Sequence, residues 1–269
     1  ISPCPNDTFM FDALLNQKIN TQGCSFDVHF ADIEELNLHA QTGKFDVTKI
    51  SFHGYSKAYH MYKIMNSGAA LGYNNGPLLI SKQKIYPDEI SDIDIAIPGK
   101  NTTAFLLLQI LAPNIKNTRE YLFSDIEEAV LSGETDAGLI IHESRFTYHK
   151  KGLKKIADLG ELWEEKYHLP IPLGAIVVKK DLERNVQKKV ERILKKSIEF
   201  ALNNPRSSYP FIKKHAQELS DQVISRHIHL YVNQYSLNLG EKGRQSIRLL
   251  YDQAEEKKLI SKIPEDIFA

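Results

Sequence analysis

A histidine that directly follows an apolar run is the first residue of this chain that could do chemistry. His142 comes after Gly138-Leu139-Ile140-Ile141, so a buried strand would deliver its ring to the mouth of a cleft. An imidazole titrates near neutrality, so in such a place it can take a proton from a bound molecule at physiological pH. Glu143 is next in the chain, but adjacent strand residues point to opposite faces, so it is not expected to partner His142. The other histidines offer less. His227 and His229 stand two apart in a helical stretch and share no face, and nothing forces His53 or His60 into a cleft.

Three further segments suit an anion. Ser2-Pro3-Cys4-Pro5-Asn6-Asp7-Thr8-Phe9 reads as a strand end turning through two prolines into a helix near Thr8, with Asn6 or Asp7 as its cap. Lys49-Ile50-Ser51 closes a short strand ahead of the helix containing Tyr55 and Tyr59; Lys49 offers a point charge and Ser51 a hydroxyl. Pro98-Gly99-Lys100-Asn101-Thr102-Thr103-Ala104 sets small and hydroxyl residues before the apolar helix Phe105 to Leu111, whose free N–H groups would suit a carboxylate. Each segment also has a plain reading, as a rigid turn, a surface lysine or an N-cap, and His142 as a residue ending a strand. No pair of histidines has the spacing of a metal site, the two cysteines form none, and no glycine-rich phosphate loop occurs, so no metal is expected. Cys4 and Cys24 are too few for a disulfide framework; Cys4 is expected to be a small buried residue.

The elements that must hold these residues alternate between strand and helix. Phe26 to Phe30 and Phe45 to Ser51 read as strands, separated by a helix that a capping box of Asp32 and Glu35 opens and Gly43 closes. A similar order returns later: a box of Ser124 and Glu127, Gly133, then the strand Asp136 to His142. The two stretches form a weak internal repeat, one copy per lobe. Strands at Gly76 to Ser81 and Ile93 to Ile97 flank the polar stretch Lys82 to Ser91, taken as a first lobe crossing, and the proline-stiffened Leu169 to Val178 as the return. From Asp181 onward the pattern is helical: Val186, Val190, Ile193 and Ser197 share a stripe, and further helices are predicted over 212–219, 223–232 and 247–254. The fold class is therefore α/β, with mostly parallel sheets in two lobes and a ligand cleft at a two-crossing hinge. Residues 1–82 and 175–269 make the first lobe and 83–174 the second.

Composition narrows the function classes. The 269 residues carry 34 Lys and Arg against 34 Asp and Glu, and this zero formal net charge argues against a nucleic-acid partner. No apolar run approaches the roughly 20 residues that span a bilayer, so no membrane partner is expected either. The sequence opens on Ile1 in what reads as the tail of a buried strand, so a few earlier residues are expected to be missing. Oligomeric state leaves no mark in the sequence.

The quoted opening run, together with Asp46 to Ser51, Gly76-Pro77-Leu78, Thr103-Ala104, Gly138 to Glu143 and Pro172-Leu173-Gly174, resembles the 1,4-dihydroxy-6-naphthoate synthase family of the futalosine route to menaquinone. The likeness runs to about Val178. It implies a type II periplasmic-binding-protein-like fold used as a cytoplasmic lyase. The reaction implied is the splitting of cyclic dehypoxanthinyl futalosine into 1,4-dihydroxy-6-naphthoate and dihydroxyacetone without metal or organic cofactor. By position, His142 would be the proton acceptor, and Lys49, Ile50, Ser51, Thr103 and Ala104 would line the substrate, a small carboxylate. Two other readings stay open: chorismate dehydratase of the same pathway, and a solute-binding protein for a small carboxylate with no chemistry.

Overall fold

The structure, a computed structural model, describes every residue except Gln217 and Glu218. Helices α1 (Pro5–Leu15) and α2 (Ile33–Gln41) precede strand β1 (Val47–Ser51), helix α3 (Phe52–Ala58) and strands β2 (Tyr62–Ile64) and β3 (Ala70–Gly72). The chain continues through β4 (Leu78–Ser81), β5 (Asp94–Ile97), α4 (Thr103–Leu111), β6 (Asn117–Glu120), α5 (Ile126–Ser132), β7 (Ala137–Ile140), β8 (Lys154–Asp158) and α6 (Leu159–Tyr167). Strand β9 (Ile171–Lys179) is followed by helices α7 (Arg184–Asn203), α8 (Pro205–His215), α9 (Asp221–Tyr231), α10 (Gln234–Leu237) and α11 (Gly240–Glu256).

Two sheets organise these elements. In the first, β9 runs down the middle with β1 on one side and β2 and β3 on the other. The second has the order β6-β5-β7-β4-β8. The expectation of mostly parallel sheets does not hold: every pairing of β9 within its sheet is antiparallel, as are those of β4, and among the described residues the parallel ladders are those of β5 with β6 and β7. The reason lies in the connectivity. A strand that re-enters a sheet after a long excursion need not follow the direction of those already laid down, and β9 enters against all three of its neighbours.

Local chemistry explains most element boundaries. The Asp32 carboxylate accepts the N–H groups of Glu34 and Glu35 and starts α2. Gly43 and Gly133, after α2 and α5, both lie in the left-handed region at φ 65° and 80°, where a side chain would be strained. The second predicted box is absent: α5 begins after Asp125 without a side-chain cap, because Ser124 Oγ donates to Asp125 Oδ1 instead. Phe26 to Phe30 form no ladder either. They run extended beside Ile1, whose amino group donates to the His29 carbonyl and whose own carbonyl accepts the Ala31 N–H. Strand β4 is buried along its whole length and pairs within the second sheet, so the chain passes between sheets over residues 73–77, ahead of the polar stretch expected to do so. It returns over 168–170.

Helices α7, α8 and α9 pack against α1, and α11 packs against β9. Val190, Ile193 and Ser197 of α7 are buried, and Ser197 Oγ donates to the Met10 carbonyl while accepting the Leu14 N–H. The helix predicted over 212–219 is the end of α8; Gln217 and Glu218 within that range lie outside the described residues. Among the described residues no helix is long and apolar enough to cross a membrane.

Candidate active site

Two helix starts and the ends of two strands meet at a cleft whose empty space, its open mouth included, is about 680 Å³. Ser2 and Asn6 reach it from the start of α1, Lys49 and Ser51 from β1, Thr102 to Ala104 from the start of α4, and His142 from the end of β7. Strand alternation sorts the segment Lys49-Ile50-Ser51. Lys49 and Ser51 face the cleft, while Ile50 points the other way and is fully buried in the core. Of the expected lining residues, Ile50 is therefore the one whose side chain the fold sends elsewhere.

Lys49 is not a free anion-binding cation. Its Nζ donates to Asp7 Oδ1 at 3.0 Å, with both side chains buried. Asp7 does not cap a helix, since α1 already begins at Pro5; it gathers donors from within the first turn. Asn6 Nδ2 donates to the same oxygen at 2.9 Å, and Ser2 gives both its N–H and its hydroxyl to Oδ2, at 3.0 and 2.9 Å. Burial would raise the Asp7 pKa, but the Lys49 ammonium and these hydrogen bonds outweigh it and hold the carboxylate below its ordinary range. The pair is thus ionised and neutral as a unit.

The start of α4 is where donors remain. Thr102 caps it, its Oγ1 accepting from Phe105 N and donating to the Gly99 carbonyl. Thr103 Oγ1 accepts the Phe52 N–H at 2.7 Å, which ties this turn to the end of β1. Asn101 adds to that tie by accepting Ser51 Oγ at 2.6 Å and Asn37 Nδ2 at 3.1 Å on its carbonyl. The N–H groups of Thr103 and Ala104 belong to the first turn, where a helix supplies no internal acceptor, and both residues line the cleft.

His142 stands where β7 ends, at φ 58°, a conformation uncommon outside glycine and frequent at functional sites. It keeps some surface on the cleft but is enclosed by protein at longer range, and that burial lowers its pKa from the ordinary histidine value. Glu143 and Asp7 oppose the drop. His142 opens a short 3-10 turn, His142–Phe146, so strand alternation does not place Glu143, whose Oε2 has no hydrogen-bond partner among the described residues. His142 Nδ1 lies 3.6 Å from Cys4 Sγ, and burial pushes the Cys4 thiol well above its usual pKa, so Cys4 is a neutral neighbour of the ring.

The sequence reading passed over His227, which the fold brings from α9 into the same cleft. Its ring lies parallel to that of His142 with centroids 6.3 Å apart. The two residues are 85 positions apart in a chain whose helices pack by tertiary contact, so no local spacing could join them. Of the other histidines, His53 is buried beside Thr103, its N–H weakly shared with Thr103 Oγ1, and burial lowers it to about 4. Away from the cleft, His29, Glu35 and His39 bring their ligand atoms within 4.8 Å of one another, a grouping the spacing argument did not foresee. Lys44 Nζ donates to His39 Nε2 at 3.1 Å, so an ammonium already shares that cluster.

Known proteins share both sequence and shape with this chain. A family described as menaquinone biosynthesis matches residues 1–256. A Thermus thermophilus protein named 1,4-dihydroxy-6-naphtoate synthase is 38% identical over 267 residues, 99% of this chain and 97% of the relative. A solved structure from Archaeoglobus fulgidus superposes with a TM-score of 0.92 at 36% identity, covering 97% of each chain. The alkanesulfonate-binding protein SsuA of Xanthomonas axonopodis pv. citri, bound to MOPS, superposes with a TM-score of 0.75 at 13% identity, covering 99% of this chain and 93% of that one. The last likeness concerns shape alone: the α/β fold is that of periplasmic binding proteins.

Proposed function

The chain belongs to the menaquinone biosynthesis family, and from that premise we propose that it is a carbon–carbon lyase whose base is His142. Its substrate is cyclic dehypoxanthinyl futalosine, and its products are 1,4-dihydroxy-6-naphthoate and dihydroxyacetone. The observation that carries this reading is the setting of His142: a residue in the left-handed region that lines the cleft, with its pKa lowered by burial so that the ring is neutral and able to accept a proton. For Nε2 to be the accepting atom, Nδ1 carries the hydrogen and directs it at Cys4 Sγ.

We assign the substrate carboxylate to the N–H groups of Thr103 and Ala104, two cleft-lining residues in the first turn of α4, where a helix supplies no internal acceptor. Lys49 contributes indirectly, by balancing Asp7, and Ser51 by fixing Asn101 and the start of α3. Proton removal by His142 starts the cleavage, and formation of an aromatic ring makes it favourable. We place the reaction in the cytoplasm, where soluble precursors are made.

Incubating the purified protein with cyclic dehypoxanthinyl futalosine and following both products by mass spectrometry tests this directly. Equal release of the two, catalytic in protein, supports the assignment. A substrate that binds and stays intact would return the protein to the solute receptors whose fold it shares, and turnover of chorismate in its place would identify a dehydratase.

A further inference from the structure

A chain of buried hydrogen bonds fixes which nitrogen of His227 carries a proton. It starts at Asp7, ionised by its pairing with Lys49 and therefore an acceptor only. The Asn6 amide donates through Nδ2 to Asp7 Oδ1, so its NH2 end is committed to the carboxylate and its Oδ1 is turned away. Oδ1 faces His227 Nε2 at 3.0 Å. An amide oxygen can only accept, so Nε2 is the nitrogen that bears hydrogen. A neutral imidazole has a single N–H, and Nδ1 is then a bare acceptor. The ring is neutral: it is 1% exposed, the rings of Tyr231 and His142 flank it with centroids at 4.6 and 6.3 Å, and burial lowers its pKa to about 3.

That bare nitrogen has no hydrogen-bond partner among the described residues, although it is fully buried. Buried polar atoms are as a rule partnered, and one left without a partner in a ring that lines a ligand cleft marks a place for a ligand atom. We propose that His227 is a substrate-contact residue whose Nδ1 accepts a hydrogen bond from a hydroxyl group of the substrate. The cleft then offers complementary chemistry from different elements: N–H donors at Thr103 and Ala104 for a carboxylate, and an acceptor at His227 for a hydroxyl. Under the function proposed above, on which the identity of the ligand rests, the hydroxyl belongs to the part of the substrate that leaves as dihydroxyacetone. The tautomer itself does not depend on that reading.

Two substitutions separate the two nitrogens. His227→Gln reaches Asn6 with an amide N–H in place of Nε2–H and leaves nothing at Nδ1; His227→Asn places an amide oxygen near Nδ1 and gives up the contact with Asn6. If Nδ1 holds the substrate, His227→Gln raises KM about 10- to 100-fold with kcat much less affected, and His227→Asn restores part of the loss. A purely structural histidine would give the reverse order, with Gln the better replacement, and a Gln variant with wild-type KM overturns the proposal. Nitrogen-15 NMR of the histidine side chains in the unaltered protein gives a second measurement should either variant fail to fold. An unprotonated Nδ1 on His227 whose resonance moves when dihydroxyacetone is added supports the assignment, and a protonated Nδ1 overturns it. If the wild-type protein does not turn over cyclic dehypoxanthinyl futalosine at all, the proposed function falls, and the NMR result still decides the state of His227.

Discussion

Lys49 Nζ and Asp7 Oδ1 meet at 3.0 Å with 8% and 0% of their side chains exposed, 42 residues apart in the chain. This contact ties the middle of β1 to the first turn of α1. It also decides the electrostatics of the cleft floor, because a lysine free to bind an anion and a lysine already bound to a carboxylate are different sites. Every donor around Asp7 comes from residues that line or underlie the cleft, so the pair orders Ser2 and Asn6 as well as itself.

Removing one member strands the other charge out of water. Lys49→Met is therefore expected to destabilise the fold by about 3–5 kcal/mol, and Asp7→Asn by a similar amount. The double variant, which leaves no buried charge, should be less damaged than the two single losses combined. Urea unfolding of the three variants measures this, and strictly additive losses would show that the ion pair is not the coupling that holds these elements.

His142→Gln removes the proposed base while keeping a side chain of similar reach. kcat should fall by about 10²–10⁴-fold with KM changed far less. The pH profile carries independent information. The neutral ring is the active form, and burial lowers its pKa, so the acid limb of kcat/KM should have its midpoint below the ordinary histidine value of 6.5. A midpoint above 6.5 would mean that the carboxylates of Glu143 and Asp7 outweigh burial in solution, or that another group is the base.

How much of this was open to sequence reading depended on distance along the chain. The cap at Asp32, the stripe on α7 and the strand that delivers His142 are local patterns, and each appears in the structure close to where its residues place it. Thr103 and Ala104 could be found because a helix start announces itself through a hydroxyl cap and an apolar run. Ile50 could have been set aside by alternation, which assigns its two neighbours to one face and Ile50 to the other. The partnership of Lys49 with Asp7 and the arrival of His227 beside His142 are tertiary facts. A polar residue in an amphipathic helix reads as solvated until a neighbouring segment covers it. The direction of the sheet pairings was hidden for the same reason, since β-propensity records that a strand exists and not which neighbour it meets.

Gly174 of β9 sits opposite Ser51 of β1 and lines the cleft. A Cβ there would stand 2.7 Å from the Ile50 carbonyl oxygen and 3.6 Å from Lys49 Cε. The first atom is backbone in a paired strand and cannot rotate away, so the two strands must part locally. Gly174→Ala should cost about 1–3 kcal/mol and raise KM through the shift of Ser51 and Lys49. Thermal unfolding alongside steady-state kinetics checks both; an unchanged melting temperature would mean that β1 and β9 yield more readily than a paired ladder should.

Acid should weaken the fold earlier than carboxylate chemistry alone would bring about. His227 and His53 are buried and neutral, lowered to about 3 and about 4, whereas in the unfolded chain each takes a proton near 6.5. Above 6.5 neither state is protonated and these residues have no effect on stability. Between 6.5 and the folded values only the unfolded chain binds the protons, so stability falls with pH by about 1.4 kcal/mol per unit for each such group. Asp7 acts in the same sense but lower down, because its folded pKa is depressed and its contribution is lost only as pH drops below the ordinary Asp value of 3.8. Urea midpoints measured at intervals from pH 8 to pH 4 should therefore be flat at the upper end and decline steadily once pH passes below 6.5. In His227→Gln the slope between about 6 and 4 should be shallower by about one proton's worth. A wild-type curve that stays level down to pH 4.5 would show that both rings gain protons in the folded protein, and the neutral tautomer assigned to His227 would go with it.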